Sequence, residues 1–106
     1  MSTPKNHLDP IGDFEQFWPF YLSQHQNRTS RWLHFVGTTC ALSCFFTGLL
    51  TLTPLTMLIA PAFGYGPAWV GHFFFEKNRP ATFKYPVWSL RGDFKMFFLM
   101  LRGQLH

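Results

Sequence analysis

From Trp32 to Phe75 the chain runs for 44 consecutive residues without an Asp, Glu, Lys or Arg. A helix that crosses a bilayer needs about 20 apolar residues, so this run is long enough for two spans and too long for one. Pro54 and Pro61 stand near its middle, where "TLTPLTMLIAP" carries the residue types found between one helix and the next. The pattern predicts a helical hairpin, with one span over about 33–52 and a second over about 55–75. The second is the weaker, because Pro61, Gly64, Gly66 and Pro67 are expected to kink or break it. Such a break is tolerated in a membrane only where protein or a cavity covers the freed backbone groups.

The flanks of the run carry its charges. Arg28 and Arg31 precede the first span, and Lys77, Arg79 and Lys84 follow the second. By the positive-inside rule both termini then face the cytoplasm, from the inner membrane of a bacterium or the endoplasmic reticulum of a eukaryote. Charged residues make up 13% of the chain and aromatics 20%, with 14 Phe, whereas soluble domains are about 25% charged. The net charge of +4 and pI of about 9.4 do not indicate a nucleic-acid partner, since the bases border apolar runs instead of forming a dense exposed patch. That placement indicates lipid headgroups. A mean hydropathy of +0.02 keeps open a soluble all-helical protein with an apolar central hairpin. Cys40 and Cys44, four apart in the most apolar segment, suit neither a disulfide nor a zinc site. The polar start has no signal-peptide core, and residues 1–12 are expected to be flexible.

Two amphipathic segments flank the hairpin. "DFEQFWPFYLSQH" places Phe14, Phe17, Trp18, Tyr21 and Leu22 at three- and four-residue spacing, with Asp13 as a helix cap and Pro19 as an expected bend. Residues 87–102 interleave Trp88, Leu90, Phe94, Phe97, Phe98 and Leu101 with Arg91, Lys95 and Arg102, which suits a helix lying in the headgroup plane. The expected fold is therefore all-α and a single membrane-embedded domain over 1–106: an integral membrane helical hairpin flanked by N- and C-terminal amphipathic interfacial helices. A hairpin this small is expected to bury its broken second helix against another copy of the chain.

Of five histidines, His7 and His106 lie in terminal segments. Counting from Pro54, His34 lies 20 residues back and His72 lies 18 residues on; at 1.5 Å per residue the difference in depth is only about 3 Å. His25 closes the first amphipathic helix and can fold back to the same layer across "QNRTSRW". Glu76 follows His72 by four residues and would share its helical face. Three neutral imidazoles with a nearby carboxylate suit Fe(II) or Zn(II). The alternatives are hydrogen-bonded interfacial histidines, and for Glu76 an ion pair with Lys77, Arg79 or Arg31.

"FWPFYLSQHQNRTSRWLHFVGT" and "GYGPAWVGHFFFEKNRPATFKYPVWSLRGDFKMF" resemble a family of small membrane proteins whose characterised member is an iron-dependent 2-hydroxy fatty acid dioxygenase of fatty-acid α-oxidation. The resemblance covers about Phe14 to Leu101. It implies conversion of a 2-hydroxy fatty acid and O2 into a fatty acid one carbon shorter and CO2, with Fe(II) held by His25, His34 and His72 and Glu76 as a further catalytic candidate. On that reading Arg79 and Lys77 are candidates to meet the substrate carboxylate. Asn78 would orient a ligand, Phe73 to Phe75 would lie along the acyl chain, and Tyr85 and Asp93 are weaker candidates. Two other classes stay open: a non-catalytic membrane scaffold or lipid-binding protein, and a zinc-dependent lipid hydrolase.

Overall fold

A computed structural model describes residues 11–106. Residues 1–10, which hold His7 and most of the segment expected to be flexible, lie outside the described residues. The described chain is helical, with no strand among its residues. Helix α1 spans Phe14–Ser23, α2 Arg28–Leu50, α3 Pro54–Val70 and α4 Pro86–Leu101. A π-helical segment, Gly71–Glu76, continues α3, and a 3-10 turn, Ala81–Phe83, precedes α4.

The helix starts follow from local chemistry. Asp13 Oδ1 accepts the Gln16 backbone N–H at 2.8 Å while Gln16 Oε1 accepts the Gly12 N–H at 3.0 Å, so each side chain satisfies a donor that the first turn leaves orphaned. Asn27 Oδ1 accepts from Ser30 N–H at 3.1 Å and caps α2. Pro54 opens α3 at the position where a missing N–H costs nothing. Pro19 lies inside α1, which stays a single helix.

Helices α2 and α3 share the most extensive contact in the fold, and three glycines set how close they come. A Cβ at Gly48 would stand 2.8 Å from Met57 Cγ, one at Gly37 2.9 Å from the Gly64 carbonyl oxygen, and one at Gly71 2.7 Å from Ser30 Oγ. As one number of each pair falls the other rises, so the two helices run antiparallel. Pro61 and Pro67 do not break α3 as expected. Pro67 cannot bond the Phe63 carbonyl, but that oxygen lies 3.0 Å from the Cβ position of Gly37, so a bare stretch of α2 backbone covers it. The regular part of α3 is 17 residues long before the chain widens into the π segment. Among the described residues, α2, at 23 residues, is the one helix long and apolar enough to cross a membrane.

The flanking helices form a cap on one end of this pair. Phe17, Tyr21, Ala81, Met96 and Met100 make its buried centre. Gly92 lets α4 approach until a Cβ there would be 2.9 Å from the Tyr21 ring. The buried face of α4 is Ser89, Gly92, Met96, Phe97 and Met100, while Leu90, Phe98 and Leu101 are exposed. Most of the large apolar side chains that the sequence interleaves with basic residues therefore face outward, and small residues, methionines and Phe97 face the protein. The basic residues pack over aromatic rings: the Arg91 guanidinium lies 4.1 Å from the Phe14 ring centroid and Lys95 Nζ 4.4 Å from that of Trp18.

Candidate metal centre

His25, His34 and His72 come from three separate pieces of the fold and meet where the cap joins the helix pair. His25 follows α1, His34 lies in the second turn of α2, and His72 lies in the π segment. All three are buried. Their ring centroids are 4.6, 4.5 and 4.9 Å apart, with the planes 78° to 84° from one another.

The tautomer of each ring follows from its neighbours. His25 Nδ1 lies 2.7 Å from the Tyr21 carbonyl oxygen and His34 Nδ1 2.9 Å from that of Ser30. His72 Nδ1 lies 2.7 Å from Asn78 Oδ1, and the Asn78 amide is oriented by donating Nδ2–H to the Gln24 carbonyl at 3.0 Å. An oxygen that only accepts requires the proton on each Nδ1. Nε2 is then the free lone pair on every ring, the arrangement that backbone and amide partners impose on metal-binding histidines.

The His25 and His34 Nε2 atoms are 3.2 Å apart. Two lone pairs facing each other at that distance repel unless a cation lies between them. Two nitrogens bound to one ion at about 2.1 Å each are roughly 3.0–3.4 Å apart, so this pair already has the spacing of ligands. One ligand atom from each of the three residues lies within 4.8 Å of the others, and an ion would draw the widest of these together by on the order of 1 Å. Burial, then the imidazoles of His34 and His72, push the His25 pKa down to about 2, which keeps that ring neutral and able to bind metal. The donor set, three neutral imidazoles with open positions beside them, fits Fe(II) or Zn(II).

The π segment shapes this site. Its wider turn ends at Lys77, whose φ of 58° is left-handed, and the reversal brings the Asn78 N–H to the His72 carbonyl at 3.0 Å. Asn78 therefore holds His72 at two points. Glu76 Oε1 accepts the Asn27 N–H and ties the π segment to the loop that carries His25. It lies outside the trio of possible metal ligands.

A groove of about 490 Å³ leads away from His34 between α2, α3 and α4. Its polar lining, Thr38, Tyr65 and Asp93, lies toward His34, and its far end is apolar, with Leu42, Phe45, Phe46 and Met57. Phe73, Lys77, Asn78 and Arg79 line a separate and shallower surface hollow of about 430 Å³ together with Phe74. Phe73, Phe74 and Phe75 are exposed, the Arg79 guanidinium lies 5.4 Å from the Phe83 ring centroid, and Tyr85 packs against Phe17 and Trp88 in the cap. The structure thus brings the histidines to one point and sets these substrate candidates elsewhere, apart from Asn78, which reaches His72.

Tyr21 was not singled out by the sequence. Its carbonyl holds His25, its ring stacks on that imidazole at 3.9 Å, and its hydroxyl donates to Asp93 Oδ1 at 2.5 Å. The available signal was its position four residues before His25, which Ser30 repeats before His34.

The fold and the site together define a small all-helical protein with a buried three-histidine centre opening onto a long apolar groove. The chain belongs to the Mpo1-like family, described as 2-hydroxy-palmitic acid dioxygenase Mpo1-like, which it matches over residues 11–105. No curated protein and no solved structure is similar enough to this chain to count as a match.

Proposed function

We propose that the protein is a membrane-embedded Fe(II)-dependent dioxygenase that turns a 2-hydroxy fatty acid and O2 into a fatty acid one carbon shorter, CO2 and water. The observation that carries the reading is the convergence of three Nδ1-protonated histidines on one point at the polar end of an apolar groove. Fe(II) held by His25, His34 and His72 would supply the one-electron chemistry that ground-state O2 needs to react, and would select a 2-hydroxy acid because hydroxyl and carboxylate chelate it together.

The chain's own residues bind, orient and exclude water. From His34 to Phe46 the groove follows 12 residues of α2, about 18 Å, and each methylene buried there contributes about 0.8 kcal/mol. The tail therefore supplies most of the affinity, and the polar end sets which carbon faces the metal. Tyr21, Ser30 and Asn78 fix the three rings before substrate arrives, so no reorganisation is needed when it binds. Lys77 and Arg79, at the rim of the surface hollow, attract an anionic headgroup from the lipid surface.

The membrane placement rests on α2 and on exposed apolar side chains such as Leu50, Leu52 and Leu58, 84%, 84% and 75% accessible around the turn between α2 and α3. In this arrangement α2 crosses the bilayer, α3 with the π segment returns, and both termini are cytoplasmic. The metal centre then lies beside Arg28, Arg31 and Lys77 at the cytoplasmic surface. Aerobic incubation of detergent-purified protein with 2-hydroxypalmitate and Fe(II), followed by mass analysis, tests the activity. O2 uptake and the acid lacking one carbon are expected; a zinc hydrolase on the same ligands consumes no O2, and a scaffold yields no product.

A further inference from the structure

The groove beside His34 contains one carboxylate among its described lining residues, Asp93 of α4. It faces a space that is otherwise apolar along most of its length, and a carboxylate so placed needs partners. Tyr21 provides one, donating its hydroxyl to Asp93 Oδ1. The same tyrosine ring stacks on His25, so Asp93 is held one ring away from the metal centre, at the polar end of the groove. With Oδ1 taken by Tyr21, Oδ2 is the atom available to an occupant.

An ionised 2-hydroxy acid carries one hydrogen-bond donor, its 2-hydroxyl; its carboxylate only accepts. Above about pH 7, where it is ionised, the Asp93 carboxylate in the wall of the groove also only accepts, and it repels the acid's own carboxylate. The group that faces Asp93 is therefore the hydroxyl, while Thr38 and Tyr65, at the same end, have hydroxyl protons to offer the substrate carboxylate. We propose that Asp93 is a specificity residue that accepts a hydrogen bond from the 2-hydroxyl and orients it at the metal centre. This rests on the dioxygenase reading and deepens it. The hydroxyl oxygen would be left to a metal held by the three histidines, and Asp93 recognises the hydroxyl proton. A site that bonds a hydroxyl discriminates strongly against an analogue lacking one, because its own buried group is then left unpaired.

The test is binding of 2-hydroxyhexadecanoic and hexadecanoic acids to the iron-loaded protein at about pH 8, where Asp93 is ionised, with O2 excluded, for the wild type and for Asp93→Asn, which keeps an oxygen for Tyr21. The expected result is a preference for the hydroxy acid over the plain acid that falls about tenfold in the variant, with iron content unchanged. An unaltered preference in a folded, iron-replete variant overturns the proposal, and the dioxygenase reading survives if the wild type still makes the shortened acid. The wild type also gives a reading that needs no variant. 2-Methoxyhexadecanoic acid keeps the oxygen but has no proton to donate, and it should bind about tenfold more weakly than the hydroxy acid; equal binding overturns the proposal.

Discussion

Asn78 holds His72 through both side chain and backbone, and its own amide is anchored on the Gln24 carbonyl. Removing the side chain by Asn78→Ala frees the imidazole to change tautomer, and loss of such an orienting partner costs about 10–100-fold in metal affinity. Competition with a chelator measures this, and Asn78→Asp should retain more affinity than Asn78→Ala because it keeps an acceptor for Nδ1. Asp93 gives a second prediction at this scale. Its apolar surroundings raise its pKa from 3.8 to about 7 despite the Tyr21 hydrogen bond. Between about pH 4 and 7 the folded chain therefore holds a proton that the unfolded chain has released, so the associated stability is complete at low pH and lost as pH rises to 7. Asp93→Asn has no such proton to lose. Thermal melts in detergent should show the variant gaining on the wild type from about pH 4 to 7 and no further above that; a pH-independent difference would show that the carboxyl does not titrate in this way. His34 and His72 were legible as a pair because matched distance from a turn is a property of sequence, and His25 from its place at the end of the first amphipathic helix. Tyr21 and the Asn78 clamp were not, since a stacked ring and a backbone reversal depend on where the cap docks.

At the level of elements, the sequence expects two central helices between two amphipathic ones, and the described residues are helical in that order from α1 to α4, but the 3-10 turn Ala81–Phe83 is not foreseen and the end of α3 departs most. Residues 55–75 read as one weak span, but from Gly71 the backbone takes the wider π turn and ends in a left-handed Lys77. Nothing in hydropathy distinguishes a π turn from an α turn, and only the His72 to Asn78 contacts reveal its use. Likewise Pro61 and Pro67 suggested a broken helix, and the compensating feature, Gly37 on the opposite helix, is visible only once the register of α2 against α3 is known. That register makes Gly71 a sensitive position. A methyl there meets Ser30 Oγ at 2.7 Å and Ser30 Cα at 3.2 Å, so Gly71→Ala must push the helices apart between His34 and His72. Overpacking of this kind costs about 1–3 kcal/mol. The variant should melt earlier and bind metal more weakly, while Gly66→Ala, which meets nothing within 4 Å, should do neither.

Over the whole molecule, a body 48 Å long and 26 Å across is divided between an apolar helix pair and an aromatic cap, and the histidines lie at the join. The sequence indicated that division through its 44-residue uncharged run and its amphipathic flanks. It could not reveal the groove, because the lining draws on α2, α3 and α4 and exists only after they pack. It also could not show that Arg79 and Phe73 lie at a different surface from His34, although they stand close to His72 in the chain. Since the candidate ligands come from three segments, metal binding reports on the assembled fold as much as on the site. The direct test is the iron content of detergent-purified protein, wild type against the His34→Ala/His72→Ala double variant. About one iron per chain in the wild type and none in a folded double variant is the predicted result; wild-type protein that forms the shortened acid without bound metal, or a double variant that retains its iron, would contradict the account.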